Sequence, residues 1–245
     1  MVRLKTFEIL DELNLTENDL GDLDADTYKR IARIIVKNIA DNLPTKVDGR
    51  TTTSNSKLPF KIIVLREVLA HRVSELASVA LQLYDAAKII PAFVMTRAVL
   101  ETVCVMFSLH KHVVVFNNDH DVNKLDAFLT KAIMGSRDDS TTINCESILN
   151  SIDRVDKEFK GLRKMYDCLC EFTHPNWSGA LGAYGTIDTE NCCLLVGNKN
   201  STAKIGLGFA PFVQSLVIFS EYYNDLAELI TKINEDFDAL PDEIT

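Results

Sequence analysis

Two long runs of mostly apolar residues lie in the middle of the chain. Residues 58–88 are apolar on most sides of a helix, and a second run, which opens at Pro91, continues to about His110. A helix that is apolar all round is buried inside a domain, and two long helices joined by a short break form an antiparallel hairpin. The pattern therefore predicts a pair of central helices.

Shorter amphipathic segments on both sides of this pair repeat with the period of a helix. Asp24 is a good N-cap for one of them, and Pro44 stops the same helix. Residues 45–57 form a polar loop. We therefore divide the chain into an N-terminal helical segment and loop, residues 1–57, and a helical-bundle domain, residues 58–245. The helical segments predicted outside the central pair are residues 5–14, 27–42, 119–134, 144–159, 162–172 and 211–240.

The chain changes character near residue 174. Six of the ten glycines fall between residues 174 and 208, together with two β-prone runs, 183–187 and 192–196, separated by a polar turn. This pattern is typical of a β-hairpin, which we place at about residues 182–207. The predicted fold class is mainly α: an antiparallel helical bundle with two long central helices and a small β-hairpin insert before the terminal helix.

The charge of the chain narrows the classes of partner. Its 245 residues carry a formal net charge of −9, which excludes a protein that coats nucleic acid by bulk electrostatics. Residues 221–245 contain eight acidic residues and a single basic residue, Lys232. The negative charge therefore belongs mainly to the terminal helix, and a small phosphate-contacting groove elsewhere stays compatible with the composition.

The sequence also predicts a location. The N-terminus lacks the apolar core of a secretory signal. The most apolar tract, residues 89–109, carries Arg97 and Glu101 near its centre, where charges are costly in a bilayer. We therefore expect a buried helix rather than a membrane span, and a cytoplasmic protein. The six cysteines are expected to be reduced, and they lack the spacing of a zinc site.

Several common catalytic motifs are absent from the sequence. It contains no phosphate-cradling P-loop, no HExxH zinc-protease motif and no GxSxG nucleophile elbow. We therefore expect neither a metal nor a cofactor. The nucleotide hydrolases, zinc proteases and serine hydrolases that these motifs mark become less probable classes.

Arg97 and Glu101 are the first candidate site residues. They lie four positions apart, so they share one face of the second central helix. A charged pair in an apolar helix must be paired internally or face a polar cavity, because an unpaired buried ion is costly. One interpretation is an ion pair that fixes the register of the helix. The other is that the pair lines a functional site.

His174 is the second candidate. Pro175 disfavours helix at the preceding residue, so His174 should end the helix on which Tyr166 also lies, on the same face. A histidine at a helix C-terminus is well placed to hold a proton. It can simply cap the helix, or it can act as a general acid–base or contact phosphate. The adjacent Asn176 and Trp177 are the candidate binding residues.

Two segments carry a resemblance to a known family. Residues 91–101 resemble the Arg-x-x-x-Glu central helix of a family of bacterial helical proteins grouped with HEPN-like, abortive-infection-type defence proteins. Residues 166–176 resemble its Tyr-x-x-Leu-Ser-x-x-x-His-Pro segment, with Cys170 at the serine position. The similarity covers about residues 60–235.

HEPN ribonucleases also carry an Arg-x4–6-His motif. Arg66 and His71 match its spacing. In those enzymes, the arginine would stabilise the scissile phosphate, and the histidine would act on the 2′-hydroxyl or in acid–base transfer. The match here lies in an early core helix, whereas the enzymes carry the motif late in their bundle.

The resemblance implies an antiparallel helical bundle in a bacterial or phage-related cytosol, with Arg97 and Glu101 close to Tyr166 and His174. Two functions follow from it. The first is an interaction or regulatory module in phage defence or stress response, with a protein partner or a homodimer formed through the long helices. The second is a metal-independent ribonuclease, in which Arg97 holds a phosphate of RNA and His174 is the acid–base catalyst. The sequence leaves open whether the protein is an enzyme.

Overall fold

The computed structural model describes residues 2–6, 8, 24–138, 140–198 and 202–239. Most of the predicted helical turns at residues 5–14 lie outside these ranges, as does Leu240, the last residue of the predicted terminal helix. The helices are α1 (Ala25–Asp41), α2 (Leu58–Asp85), α3 (Ile89–Asp119), α4 (Val122–Met134), α5 (Ile148–Glu158), α6 (Leu162–Thr173), α7 (Gly182–Tyr184) and α8 (Thr202–Asp238), and the strands are β1 (Gly185–Asp188) and β2 (Cys193–Val196).

The predicted central pair is confirmed as α2 and α3, which pack together along their length. A three-residue turn joins them, and Ala87 takes a left-handed φ of 53° there. Beside the turn, the hydroxyls of Tyr84 and Thr96 lie 2.7 Å apart. The predicted end of the second helix near His110 is wrong, because α3 continues to Asp119. Its added turns bury apolar side chains, Val113 and Phe116 among them.

Helix α8 lies against both α3 and α2. Its predicted start at Pro211 is wrong, because the helix begins at Thr202 and contains the proline. The predicted hairpin insert, which extended to residue 207, is correspondingly too long. Gly208 allows α8 to approach α3 closely, since a Cβ on this residue would lie 2.3 Å from the ring of Phe93.

The hairpin itself is confirmed as two antiparallel strands, with Gly185 opposite Val196 and Thr186 opposite Leu195. Asp188 fixes the turn, because its Oδ1 accepts hydrogen bonds from the amides of Glu190 and Asn191, at 3.1 and 3.0 Å. The hairpin is joined to α6 by a five-residue π-helical turn, Trp177–Leu181, and by the single turn of α7.

Helix α1 packs on α2 and α8. As predicted, Asp24 caps it by accepting hydrogen bonds from the amides of Asp26 and Thr27. Three isoleucines on one face, Ile31, Ile35 and Ile39, are fully buried and belong to the same apolar cluster as the central helices.

Leu4, near the N-terminus, is held on α8 as well. The amide and the carbonyl of Leu4 bond the Asn224 side chain at 2.7 and 2.8 Å. The division of the chain at residue 57 stays a prediction; in this structure α1 and Leu4 of the N-terminal segment pack on the bundle.

Two helical stretches, Ile89–Asp119 and Ile205–Asp238, are long and apolar enough to cross a membrane. Core helices pass the same test, and 56% and 67% of the most apolar windows are buried inside the protein. This composition is weak evidence for a membrane. The cytoplasmic location stays a prediction.

A buried ionic network joins α2 to α8. Arg66 is fully buried and pairs with Glu67. Its Nε donates to the carbonyl of Tyr223 at 2.9 Å, and one Nη donates to the carbonyl of Val2 at 2.8 Å. The Tyr223 hydroxyl in turn donates to Glu67 at 2.7 Å, so both charges are hydrogen-bonded.

The network separates the two residues of the Arg-x4-His pattern. The side chain of His71 is exposed, and its Nε2 lies 2.8 Å from the carbonyl of Pro44. Arg66, by contrast, is enclosed between α2 and α8. The two side chains therefore have different surroundings, and they do not form one site here.

Loss of Arg66 should destabilise the protein strongly. Arg66→Ala leaves Glu67 buried without its cation, and breaking a buried pair in this way costs about 3–5 kcal/mol. Arg33→Ala is the matched control, because the Arg33–Asp85 pair is exposed and such pairs contribute about 0–1 kcal/mol. Urea unfolding at constant m-value measures both losses. Equal losses in the two variants would contradict this account of the network.

Candidate functional site

Three of the predicted site residues meet between α3 and α6. The Nε of Arg97 donates to Oε1 of Glu101 at 3.0 Å, and the hydroxyl of Tyr166 donates to the same oxygen at 3.0 Å. The guanidinium carbon lies 5.4 Å from the centre of the Tyr166 ring. The pair predicted from its four-residue spacing is thus an ion pair, and a tyrosine from another helix completes it.

The cluster forms one wall of an open groove of about 670 Å³. The opposite wall is the loop between α4 and α5 and the first turn of α5. Backbone bonds between Ser136 and the segment Ile143–Cys145 close this loop, and Gly135 is required there because a Cβ would lie 2.7 Å from Cα of Cys145. The groove is lined by Arg97, Ser136, Arg137, Asn144, Cys145, Glu146, Ser147, Ile148, Leu149 and Tyr166.

The electrostatics of the groove are nearly balanced. Glu101 is neutralised by Arg97, and Glu146 by Arg154, at 2.6 Å. Arg137 is exposed on the rim, and no ion pair of its guanidinium is found in the part of the chain that the structure describes. The groove can therefore offer one cation and several hydroxyl and amide groups to a small polar ligand.

Tyr166 donates a hydrogen bond but is a weaker acid than a free tyrosine. Burial, together with the negative charge of Glu101, raises the pKa of its hydroxyl from 10.0 to about 12. At neutral pH the phenol is protonated, and its proton is directed at Glu101. The cluster thus holds its proton and its charges in fixed positions.

His174 ends α6, as predicted, with its amide bonded to the carbonyl of Cys170 at 3.1 Å. Its imidazole is exposed, and no hydrogen bond to it occurs within the described ranges. The Arg97 Nη1 lies 3.4 Å from the hydroxyl of Thr173, the residue before it. His174, the fourth predicted site residue, is therefore the next residue in sequence after Thr173, which Arg97 contacts.

Asn176 and Trp177 have different surroundings. The Oδ1 of Asn176 accepts from the amide of Gly179 at 3.0 Å, so this side chain caps the π-helical turn. Gly179 is required there, since a Cβ would lie 2.0 Å from the carbonyl oxygen of His174. Trp177 is 71% exposed, which is unusual for a residue of this size and leaves it open to a partner.

Sequence reasoning missed an exposed apolar surface that begins at this tryptophan. Ile187 is 69% exposed and Val196 is 79% exposed, and every residue of β2 is exposed. We call this surface the hairpin patch; it comprises Trp177, Leu181, Tyr184, Ile187, Leu194, Leu195 and Val196. The sequence does contain a signal for this surface. Residues 192–196 are all apolar, so both faces of the strand carry apolar side chains, and these stay exposed when no other element packs on the two-stranded sheet.

The side chains show no metal centre. Among the residues with described side chains, no group of three or more His, Cys, Asp and Glu is arranged to hold a metal ion. All six cysteines are free thiols.

Comparisons with known proteins show no family for this chain. No family model, no curated protein and no solved structure matches it. The resemblance to HEPN-like proteins, and the roles that it assigns to Arg97, Glu101, Tyr166 and His174, stay predictions from the sequence.

The pKa of Tyr166 gives a test of the cluster. Glu101→Gln keeps an acceptor for the hydroxyl but removes the negative charge that opposes tyrosinate, so the pKa of Tyr166 should fall from about 12 towards 10. Tyrosinate absorbance during an alkaline titration measures the pKa, and Tyr166→Phe identifies the contribution of this residue. An unchanged titration in Glu101→Gln would contradict the proposed coupling.

The same shift predicts a pH dependence of stability. The unfolded phenol ionises near 10.0 and the folded one at about 12. The contribution of Tyr166 to the free energy of unfolding is therefore complete below pH 10, and it is lost as the pH rises from 10 to about 12.

Proposed function

We propose that this protein is an interaction module that binds a protein partner through the hairpin patch. The single observation that carries the proposal is the exposure of seven large apolar side chains on one short segment, residues 177–196. A concentration of exposed large apolar side chains is typical of a surface that binds another molecule. The tryptophan and tyrosine in it are residue types enriched where partners bind most tightly.

The long helices offer less surface of this type. Their apolar side chains pack against the other helices, and the exposed valines on them are separate from one another along α2 and α3: Val68, Val79, Val94 and Val115. Single exposed apolar residues are normal on protein surfaces. The hairpin patch is therefore a better candidate for a binding surface than the long helices, through which the sequence analysis predicts a homodimer.

The position of the patch supports a regulatory role. Only three residues separate Thr173, which Arg97 contacts, from Trp177. A partner that binds the π-helical turn would act next to the end of α6 and the Arg97–Glu101–Tyr166 cluster. The proposal also includes a role in phage defence or stress response, which rests on the resemblance to HEPN-like proteins.

Partner capture by matched variants tests this proposal. Ile187→Lys with Leu195→Lys places two charges in the hairpin patch, whereas Val115→Lys places one at an exposed valine of α3. We expect the wild type and Val115→Lys to capture the same partner from cells and the hairpin variant to lose it. Circular dichroism checks that all three are folded. Capture of the same partner by the hairpin variant would contradict the proposal.

A second candidate function is a metal-independent ribonuclease at the Arg97 cluster. The observation that favours it is the 3.4 Å approach of the Arg97 guanidinium to Thr173, immediately before the exposed His174. In this function, Arg97 holds a phosphate of RNA and His174 transfers the proton, while Glu101 and Tyr166 orient Arg97.

Cleavage of RNA separates the two functions. If His174 is the acid–base catalyst, His174→Ala should lower the cleavage rate by about 10²–10⁴. His120→Asn is the control, because His120 is also exposed and its left-handed backbone tolerates asparagine. Equal cleavage by the wild type and His174→Ala would rule out the ribonuclease as proposed.

A further inference from the structure

The outer edge of β2 is the most unusual part of the hairpin patch. Edge strands normally carry a lysine, a proline or an inward-pointing charge that prevents further pairing. Residues 191–198 contain none of these. An isolated two-stranded hairpin is also marginally stable, whereas three or more strands with an apolar face are stable. We propose that β2 pairs antiparallel with β2 of a second copy of this chain; the inference rests on the proposed interaction function.

The register of the hairpin determines which groups β2 presents. The amide of Gly197 donates to the carbonyl of Tyr184 at 2.8 Å, and this pair continues the register of the strands. Hydrogen-bonded and non-hydrogen-bonded pairs alternate in an antiparallel ladder. Leu195 therefore directs its amide and carbonyl at Thr186, while Leu194 and Val196 direct theirs at the free edge.

A two-fold axis perpendicular to the sheet at Leu195 satisfies this edge. It places Leu194 of one copy opposite Val196 of the other, twice, so that four backbone hydrogen bonds form between two strands. An axis at Leu194 would instead pair Val196 with Cys192, whose φ of 50° belongs to the turn. An axis at Val196 would pair Leu194 with Asn198, which lies beyond the end of β2. The outward groups of β2 thus select one register.

The same register joins the apolar side chains. Ile187, Leu194 and Val196 lie on one face of the hairpin, because Ile187 is opposite Leu194 in the register and side chains alternate along β2. In the four-stranded sheet, these side chains form two adjacent rows on one face, each with Ile187 and Leu194 of one copy and Val196 of the other. On the other face, the two Leu195 side chains lie directly opposite each other.

The charge distribution of the hairpin is compatible with a second copy at this place. Two chains of net charge −9 repel each other, so self-association needs a surface without charge, and residues 191–198 supply one. The acidic residues of the hairpin lie at its turn end, Asp188 as the last residue of β1 and Glu190 in the turn. Antiparallel pairing places the two turns at opposite ends of the new sheet, where these acidic residues do not meet.

Disulfide cross-linking tests this register. In a background of Cys192→Ser and Cys193→Ser, Leu195→Cys faces its own copy in a non-hydrogen-bonded pair, with Cα atoms about 4.5 Å apart, which a disulfide can bridge. In the same background, Leu194→Cys faces Val196, and its own copy is about 8 Å away by the strand spacing and rise. We expect a cross-linked dimer from Leu195→Cys that is at least tenfold more abundant than from Leu194→Cys or the background.

Light scattering of the wild type completes the test, with a concentration-dependent dimer expected and its loss in Leu195→Lys. A monomer at every concentration, together with equal cross-linking by Leu195→Cys and Leu194→Cys, would overturn the inference. If the wild type nevertheless captures a different protein that Ile187→Lys with Leu195→Lys loses, the second copy is wrong and the interaction function stands. If the hairpin variant captures the same proteins as well, both fail.

Discussion

Helix α3 is a mostly apolar helix of 31 residues, so it must bury most of its apolar side chains against other helices. Helices α2 and α8 make its largest contacts, and α4, α5 and α6 complete the enclosure. Apolar burial of this kind is the dominant favourable term in folding. The few polar groups that α3 carries inward therefore need partners from the surrounding helices, and this requirement positions the candidate site.

The Arg97–Glu101–Tyr166 cluster satisfies this requirement at the boundary between α3 and α6. The two charges neutralise each other, and the tyrosine from α6 donates to the carboxylate. The Arg66–Glu67–Tyr223 network has the same composition, but it is enclosed between α2 and α8. Only the first cluster reaches a groove, so similar chemistry gives one structural network and one candidate site.

The hairpin does not take part in this packing, because nothing in the described part of the bundle covers its apolar side chains. Its β2 strand is exposed throughout, while the turn that carries Trp177 links it to the end of α6. The proposed interaction surface and the polar cluster are thus neighbours along the chain. This arrangement supports the proposal of an interaction module with local regulation.

The sequence by itself determined the central pair, the antiparallel helical bundle, the hairpin, the Asp24 cap and the end of α6 at His174, since periodicity, capping and proline act locally. The spacing of Arg97 and Glu101 likewise predicted their pairing. Tertiary structure decided the rest: α8 begins at Thr202 and continues through Pro211, and Gly208 lets its first turns pack closely on Phe93. It also decided that Arg66 is buried and His71 exposed, and that β2 is uncovered on both faces. Burial depends on contacts between distant segments, and a local pattern of residues cannot specify which surfaces those segments leave free.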